Sequence, residues 1–376
     1  TVQMVPPATF SQPHPIACSS SGAGPELAAS TWANSLRAAQ GAGTLAPTSR
    51  QTREEDTMAR QHIGVAVMGG DSNAVVKRIQ DVERMGISAA WLTTGGAGLD
   101  GITLFAAAAA KTERVLMGTC ITPTFPRHPI TAVQQTQVVA QLAPGRFRLG
   151  LGPSHKVSVE PTYGYKYEAP LTQLREYIQV VRSLLWQGAV DFDGKYYHAH
   201  ARLGGAAIPD VPIMASALRA TSFEVCGEVA DGAISWVCPP KYLRDVCVPA
   251  MRAGAKKAGR QTPALVTHAP IIVHNNVAEA RNAAREQLGT YPRSPFYQQM
   301  FVDSGHPEAR QGAWSDGMLD DVVLMGDEET VANKLRQLID WGATEVIAHP
   351  VTIGSNRDAS WRRTLEVVAA VDRTLR

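Results

Sequence analysis

The candidate chemistry of this chain lies in short stretches that are far apart in sequence. The run GRFRLGLGPS, Gly145 to Ser154, leads from an apolar segment into a small-residue loop, and His155 follows directly. Gly150 and Gly152 leave room for a large ligand to approach the backbone. An imidazole at His155 can donate to that ligand or shuttle a proton near neutral pH, and it serves equally as a surface-loop residue. Ala215, Ser216 and Ala217 precede a helix carrying Arg219. Small side chains there expose N–H groups at a helix start, which suits a phosphate, and a guanidinium adds a charge-assisted contact. Thr119 and Thr122, in TCITPTF, can donate to the polar edge of a ring or simply pack as β-branched residues. Thr94, in TTGG, is another hydroxyl donor. No glycine run has the spacing of a dinucleotide fingerprint. No HExxH or close Cys/His cluster is present, so no metal is expected.

These residues fall at the ends of strands in a regular alternation that starts near residue 61. Apolar runs predict strands over 63–68, 89–92, 115–118, 147–151, 211–214, 233–236, 264–273 and 345–348. Helices are predicted between them, over 104–110, 130–142, 171–185, 222–229, 242–258, 277–288, 328–341 and 359–371. A further one starts at Ser72 as its cap and carries Val75, Val76, Ile79 and Val82 on one face. Residues 191–197 read as an inserted hairpin turning at Asp193-Gly194. Residues 290–326 break the rhythm, and their aromatic part, Tyr291 to Trp314, suits a cap on the substrate side. Continuous apolar strands covered by helices imply a parallel sheet, and eight such units close more readily than they lie open. The expected fold is α/β, a (β/α)8 TIM barrel with insertion segments. In that architecture ligands sit above the C-terminal strand ends, where Thr94, Thr119, Gly152 to His155, and Ala215 to Arg219 would converge.

Composition narrows the function classes. A formal charge of +2 with both signs interspersed gives no basic stripe for a nucleic-acid backbone, so no nucleic-acid partner is expected. No stretch of 18 apolar residues is present, which argues against a membrane span. Cys18, Cys120, Cys226, Cys238 and Cys247 are odd in number and widely spaced; they read as reduced, partly buried small hydrophobes and fit a cytoplasmic location. Residues 1–60 are rich in Pro, Ser, Gly and Ala with little apolar periodicity, so a disordered extension is expected there, ahead of one folded domain over 61–376. That extension has neither the basic start nor the apolar stretch of a signal peptide.

The blocks GISAAW (86–91), LMGT (116–119) with RHP (127–129), APGRFRLGLG (143–152) and GEVADG (227–232) occur in the order of a known family. Over about residues 62–372 the chain resembles the bacterial luciferase-like flavin and deazaflavin superfamily, specifically its F420-dependent oxidoreductase branch. The resemblance implies a barrel, usually dimeric, that holds a flavin or F420 ring above the strand ends. An irregular strand-three bulge, often with a non-prolyl cis peptide, maps to about Thr119, Cys120 and Ile121 and would support the central ring. Gly152, Pro153 and Ser154 match the loop near the cofactor phosphate, as do Ala215, Ser216 and Ala217, with Arg219 beside them. Met68 and Gly69 match a position beside the reacting face.

The chain also departs from part of that family. Sugar-phosphate dehydrogenases of this kind carry an acidic residue and a catalytic histidine where Thr94 and Gly95 stand here, and a glutamate where this chain has His155. The resemblance therefore implies an oxidoreductase that moves hydride between F420 and a small organic substrate, such as one with an activated double bond. His155 and Thr94 are the candidate catalytic donors, and a second copy of the chain is the expected partner. The alternatives are an FMN-dependent luciferase-like monooxygenase and a non-catalytic cofactor-binding subunit.

Overall fold

The structure, a computed structural model, describes residues 61–208, 210–289 and 291–376. The extension expected over residues 1–60 lies outside the described residues. The strands are β1 (His62–Ala66), β2 (Ala89–Leu92), β3 (Leu116–Thr119), β4 (Thr122–Pro123), β5 (Phe147–Gly152), β6 (Ala189–Asp193), β7 (His198–Arg202), β8 (Ile213–Ser216), β9 (Gly232–Trp236), β10 (Ala264–Val273), β11 (Leu324–Gly326) and β12 (Glu345–Pro350). Eight of them, β1, β2, β3, β5, β8, β9, β10 and β12, pair in parallel in that order. β12 pairs with both β10 and β1, in the register Val266↔Glu345 and His62↔Glu345, and this closes the barrel. The expected (β/α)8 architecture is therefore the fold.

The helices are α1 (Ser72–Arg84), α2 (Gly101–Ala109), α3 (Pro129–Leu142), α4 (Lys156–Tyr163), α5 (Pro170–Gln187), α6 (Ala220–Val229), α7 (Val248–Lys257), α8 (Val277–Gln287), α9 (Pro295–Asp303), α10 (Asp316–Val322), α11 (Glu328–Asp340) and α12 (Arg357–Arg373). In α1, Val75, Val76, Ile79 and Val82 are the buried face, as their spacing requires. Asp71, not Ser72, is its cap: the Asp71 carboxylate accepts Ala74 N–H at 2.9 Å. Either residue type caps well, so the sequence does not choose between neighbours. α4 is an unforeseen element. It carries Pro161 inside and buries only Val159, so it has no periodic face to read.

Two cores hold the barrel. The outer one packs helices on strands; Phe105 of α2 meets Phe147 of β5 edge-on with ring centroids 5.9 Å apart. Fully buried side chains there, such as Ile63, Ile79 and Ile102, each contribute about 1.5–3 kcal/mol. The inner core fills the barrel with Ala66, Ala89, Trp91, Cys120, Met214, Ile234, Ala264, Val266 and Ile347. Asp372, at the end of α12, fastens that helix to the sheet. Its fully buried carboxylate accepts the N–H groups of Ile63 at 2.8 Å and Ser88 at 3.0 Å.

The insertions follow the sequence in outline. β6 and β7 pair antiparallel, but the connection is the four-residue loop Gly194–Tyr197, not a tight turn at Asp193-Gly194. Glu176 of α5 explains the wider loop, because its carboxylate accepts the N–H groups of Lys195, Tyr196 and Tyr197. Past residue 290 the chain forms two 3-10 turns, α9, α10 and β11, and β11 extends the outer end of β10. Among the described residues no helix is long and apolar enough to cross a membrane.

Candidate active site in the barrel mouth

Side chains alternate along a strand, so every second residue points into the barrel. On β12 the inward series is Glu345, Ile347, His349; on β10 it includes Ala264, Val266 and His268; on β9 it is Gly232, Ile234, Trp236. The interior is therefore layered. At the N-terminal end, Glu345 pairs with Arg148, lies 3.1 Å from His62 Nε2, and accepts the Trp91 indole N–H at 2.6 Å. The Arg148 guanidinium also stacks 4.3 Å from the Trp91 ring. Burial alone would raise the Glu345 carboxyl, but the charges of Arg148 and His62 hold it at about 2. An apolar middle layer follows. The top layer, at the C-terminal strand ends, carries Thr93, Gly152, Ser216, Trp236, His268 and His349.

The glycine run meets the strand-three bulge. Thr119 is fully buried, donates to Gly150 O at 2.7 Å and accepts Gly150 N–H at 2.9 Å. A Cβ on Gly150 would stand 1.8 Å from Thr119 O, and one on Gly152 would meet Ser216 Oγ and the Ile121 side chain. The close approach that these glycines permit is thus made by the protein's own bulge. The Cys120–Ile121 peptide in that bulge is cis. Thr93 Oγ1 donates to Cys120 O at 2.8 Å, and Thr94 N–H donates to Ile121 O at 3.1 Å. Burial pushes the Cys120 thiol up to about 12, so it is a neutral packed group. Thr94 Oγ1 accepts Gly101 N–H at 2.9 Å, which leaves its own proton to donate.

The rim carries the remaining sequence-predicted residues. Met68 and Gly69 lie at the exposed end of β1, where Arg78 donates to Met68 O at 2.6 Å. Ser154 adopts φ 59°, and its carbonyl accepts the Tyr167 hydroxyl at 2.8 Å. His155 stands at the start of α4 against Tyr297 of α9, and burial lowers its pKa. Ala215 and Ala217 are buried. The N–H groups expected to be open at the start of α6 are already used. Ala217 N–H donates to Ile234 O, and Ser222 Oγ accepts those of Leu218 and Arg219. Arg219 pairs with Asp303, yet its Nε is buried with no acceptor.

Sequence reasoning missed Trp236, His268 and His349. His268 Nε2 lies 3.3 Å from His349 Nδ1, and the Trp236 ring centroid lies 4.3 Å from His268 and 4.9 Å from His349. Burial, with His349 adding to it, keeps His268 well below its usual pKa, and burial lowers His349 to about 4. Both imidazoles are therefore neutral at pH 7. Ring contacts continue outward from Trp236 to Tyr291, Tyr297 and His155, so part of the segment read as a cap does reach the mouth. The available signal was a single histidine in each of two apolar strands. Among the described residues no group of His, Cys, Asp and Glu is arranged to hold a metal. A cleft of about 640 Å³ outside this layer, lined by residues such as His274, Glu286, Asn356 and Arg357, includes none of the top-layer residues.

A family model described as luciferase-like monooxygenase matches residues 49–345. The chain belongs to the luciferase-like monooxygenase family. It is 26% identical over 73% of its length, and 89% of the relative's, to a 5,10-methylenetetrahydromethanopterin reductase of Methanolobus tindarius. Two solved structures share the fold. One is an F420-dependent secondary alcohol dehydrogenase in complex with an F420-acetone adduct, with TM-score 0.70, 18% identity, and coverage of 84% of this chain and 99% of that one. The other is a type II Baeyer–Villiger monooxygenase from Pseudomonas putida in complex with FMN, with TM-score 0.66, 16% identity, and coverage of 84% and 98%.

The residues of this luciferase-like barrel mouth suit a flat ring bearing a phosphate tail. Ser216 Oγ, packed against Gly152 at the strand ends, offers a hydroxyl there. The buried, unmet Arg219 Nε supplies a cationic donor at the rim.

Proposed function

We propose that the chain is an F420-dependent oxidoreductase that transfers hydride between the deazaflavin and a small organic substrate, with reduction of an activated double bond as the leading reaction. The observation that carries the reading is the similarity to a methylenetetrahydromethanopterin reductase along most of both chains. The fit of the mouth to a ring with a phosphate tail supports it. When bound, F420 supplies the hydride; the protein's part is to bind, orient and exclude water. Thr119, Cys120 and Ile121 back the ring, and Met68 and Gly69 border its reacting face. Gly152, Pro153, Ser154, Ser216 and Arg219 border the phosphate side, with the buried Ala215 and Ala217 packed beneath them. His155 and Thr94 act as proton donors at the rim. Trp236, Tyr291 and Tyr297 give the substrate an apolar, aromatic wall. The reading includes a cytoplasmic homodimer that binds neither nucleic acid nor membrane; the reduced state of Cys120, Cys226, Cys238 and Cys247 supports that location.

Anaerobic mixing of the protein and reduced F420 with a panel of activated alkenes and ketones tests this. Oxidation of the cofactor at a rate proportional to enzyme is expected, and failure with every acceptor counts against hydride transfer. The second reading, an FMN-dependent monooxygenase, is favoured by the family's description and by the similarity of fold to an FMN-bound enzyme. It predicts tight FMN binding and substrate-dependent oxygen uptake.

A further inference from the structure

We infer that His268 and His349 form an imidazole dyad that binds the polar atom of the substrate and supplies its proton. This rests on the hydride-transfer reading and moves its proton delivery from the rim donors His155 and Thr94 to the barrel strands. Each residue comes from a barrel strand, so the pair is held more rigidly than donors on the rim loops. Register places them together: His268 pairs with Ile347 across β10 and β12, and His349 stands two residues further up. With Nε2 of one 3.3 Å from Nδ1 of the other, the two rings share one proton between them. The outer nitrogens, His268 Nδ1 and His349 Nε2, have no protein partner.

Neither outer nitrogen is fully enclosed, so each is open to a ligand in the mouth. Beside them lies the buried Trp236 indole Nε1, whose polar neighbour is the Tyr291 hydroxyl. The free His349 Nε2–H in this layer, with the Trp236 ring beside it, matches a neutral acceptor such as a carbonyl oxygen. His155 is the less suited donor, because its ring contacts Tyr297 at the rim and it belongs to no such cluster.

The proton balance closes without a resting charge. In a neutral dyad where His268 Nε2–H donates to His349 Nδ1, the proton of His349 lies on Nε2. The substrate carbon takes hydride from the reduced deazaflavin, its π pair moves to the polar end, and that end takes the His349 Nε2 proton. The shared proton passes from His268 Nε2 to His349 Nδ1; when product leaves, water delivers a proton to His349 Nε2 and the shared proton returns to His268 Nε2. The substrate is reduced by two electrons and the deazaflavin is oxidised by two. His349 touches the substrate in this scheme, and His268 positions and recharges it.

The test begins on cofactor-free protein labelled with 15N histidine and titrated with cyclohex-2-enone and cyclohexanone. The His349 ring nitrogens should shift on binding, with a smaller response at His268. His349→Phe should bind the probes roughly tenfold more weakly, and His349→Gln, which keeps a donor, should recover most of that loss. In the F420-loaded enzyme, His349→Phe should lower kcat about 10²- to 10⁴-fold and abolish the solvent deuterium isotope effect, with F420 affinity unchanged. Unmoved imidazole resonances overturn the dyad, as does a folded His349→Phe protein that binds the probes like wild type. If wild-type protein fails to bind F420, the hydride-transfer reading falls, while the probe titration still decides whether the dyad binds an acceptor.

Discussion

Replacing Glu345 with glutamine removes the one carboxylate that Arg148, His62 and the Trp91 indole share at the closed end of the barrel. The glutamine oxygen can still accept the indole N–H, so the loss is mainly that of the charge. Arg148 is only 8% exposed and would be left without its counter-ion. Breaking a buried pair in this way costs about 3–5 kcal/mol. The lowered carboxyl pKa gives an independent figure. A shift from 4.5 to about 2 corresponds to about 3 kcal/mol of native-state stabilisation. With roughly 300 folded residues and about 2.1 cal/mol/K each, the melting temperature should fall by about 5–8 °C.

The sign with pH follows from the direction of the shift. The native carboxyl binds its proton less readily than the unfolded one, so its contribution is complete above pH 4.5 and is lost as pH falls toward 2. Urea unfolding of wild type and Glu345→Gln at pH 7, 5.5 and 4 should show a gap that is constant over the first two values and narrower at the third. Cofactor affinity should hold, because this layer is at the opposite end of the barrel from the mouth. A variant that melts with wild type, or a gap that widens in acid, would refute the reasoning.

Three further outcomes are expected. Gly150→Ala forces a Cβ to 1.8 Å from Thr119 O; it should destabilise by at least about 3 kcal/mol and reduce cofactor binding, as read by thermal melts and titration. Asp372→Ala strands the Ile63 and Ser88 N–H groups; the urea midpoint should fall by the equivalent of about 2–4 kcal/mol with an unchanged m-value. Arg219→Met should weaken F420 binding roughly ten- to hundredfold and flatten its dependence on salt, while leaving the melting temperature of the cofactor-free protein near wild type.

The barrel was legible because its strands are apolar runs of the right length between amphipathic helices, and β10 spans the same residues that the pattern marks. What escaped depended on contacts distant in sequence. Glu176 reshapes the β6–β7 loop from another helix, and α4 has too few buried residues to show a period. The glycine run was visible, but its neighbour was not. Only the closed barrel shows that Thr119 fills the space beside Gly150. Each histidine of the dyad reads as a minor polar interruption of a strand, and 81 residues separate them. Their meeting is a matter of strand register, which composition and local periodicity do not encode. Similarly, the small residues before α6 suggest a loop open to phosphate, whereas Ser222 takes its N–H groups from within the next helix.

The central claim is that this barrel mouth is built for F420. The most direct test is equilibrium titration of the purified, cofactor-free protein with F420 and, separately, with FMN, each followed by cofactor fluorescence. The account predicts saturable binding of F420 at one site per chain, tighter than that of FMN and weakened by Arg219→Met. Tight binding of FMN with none of F420 would contradict it.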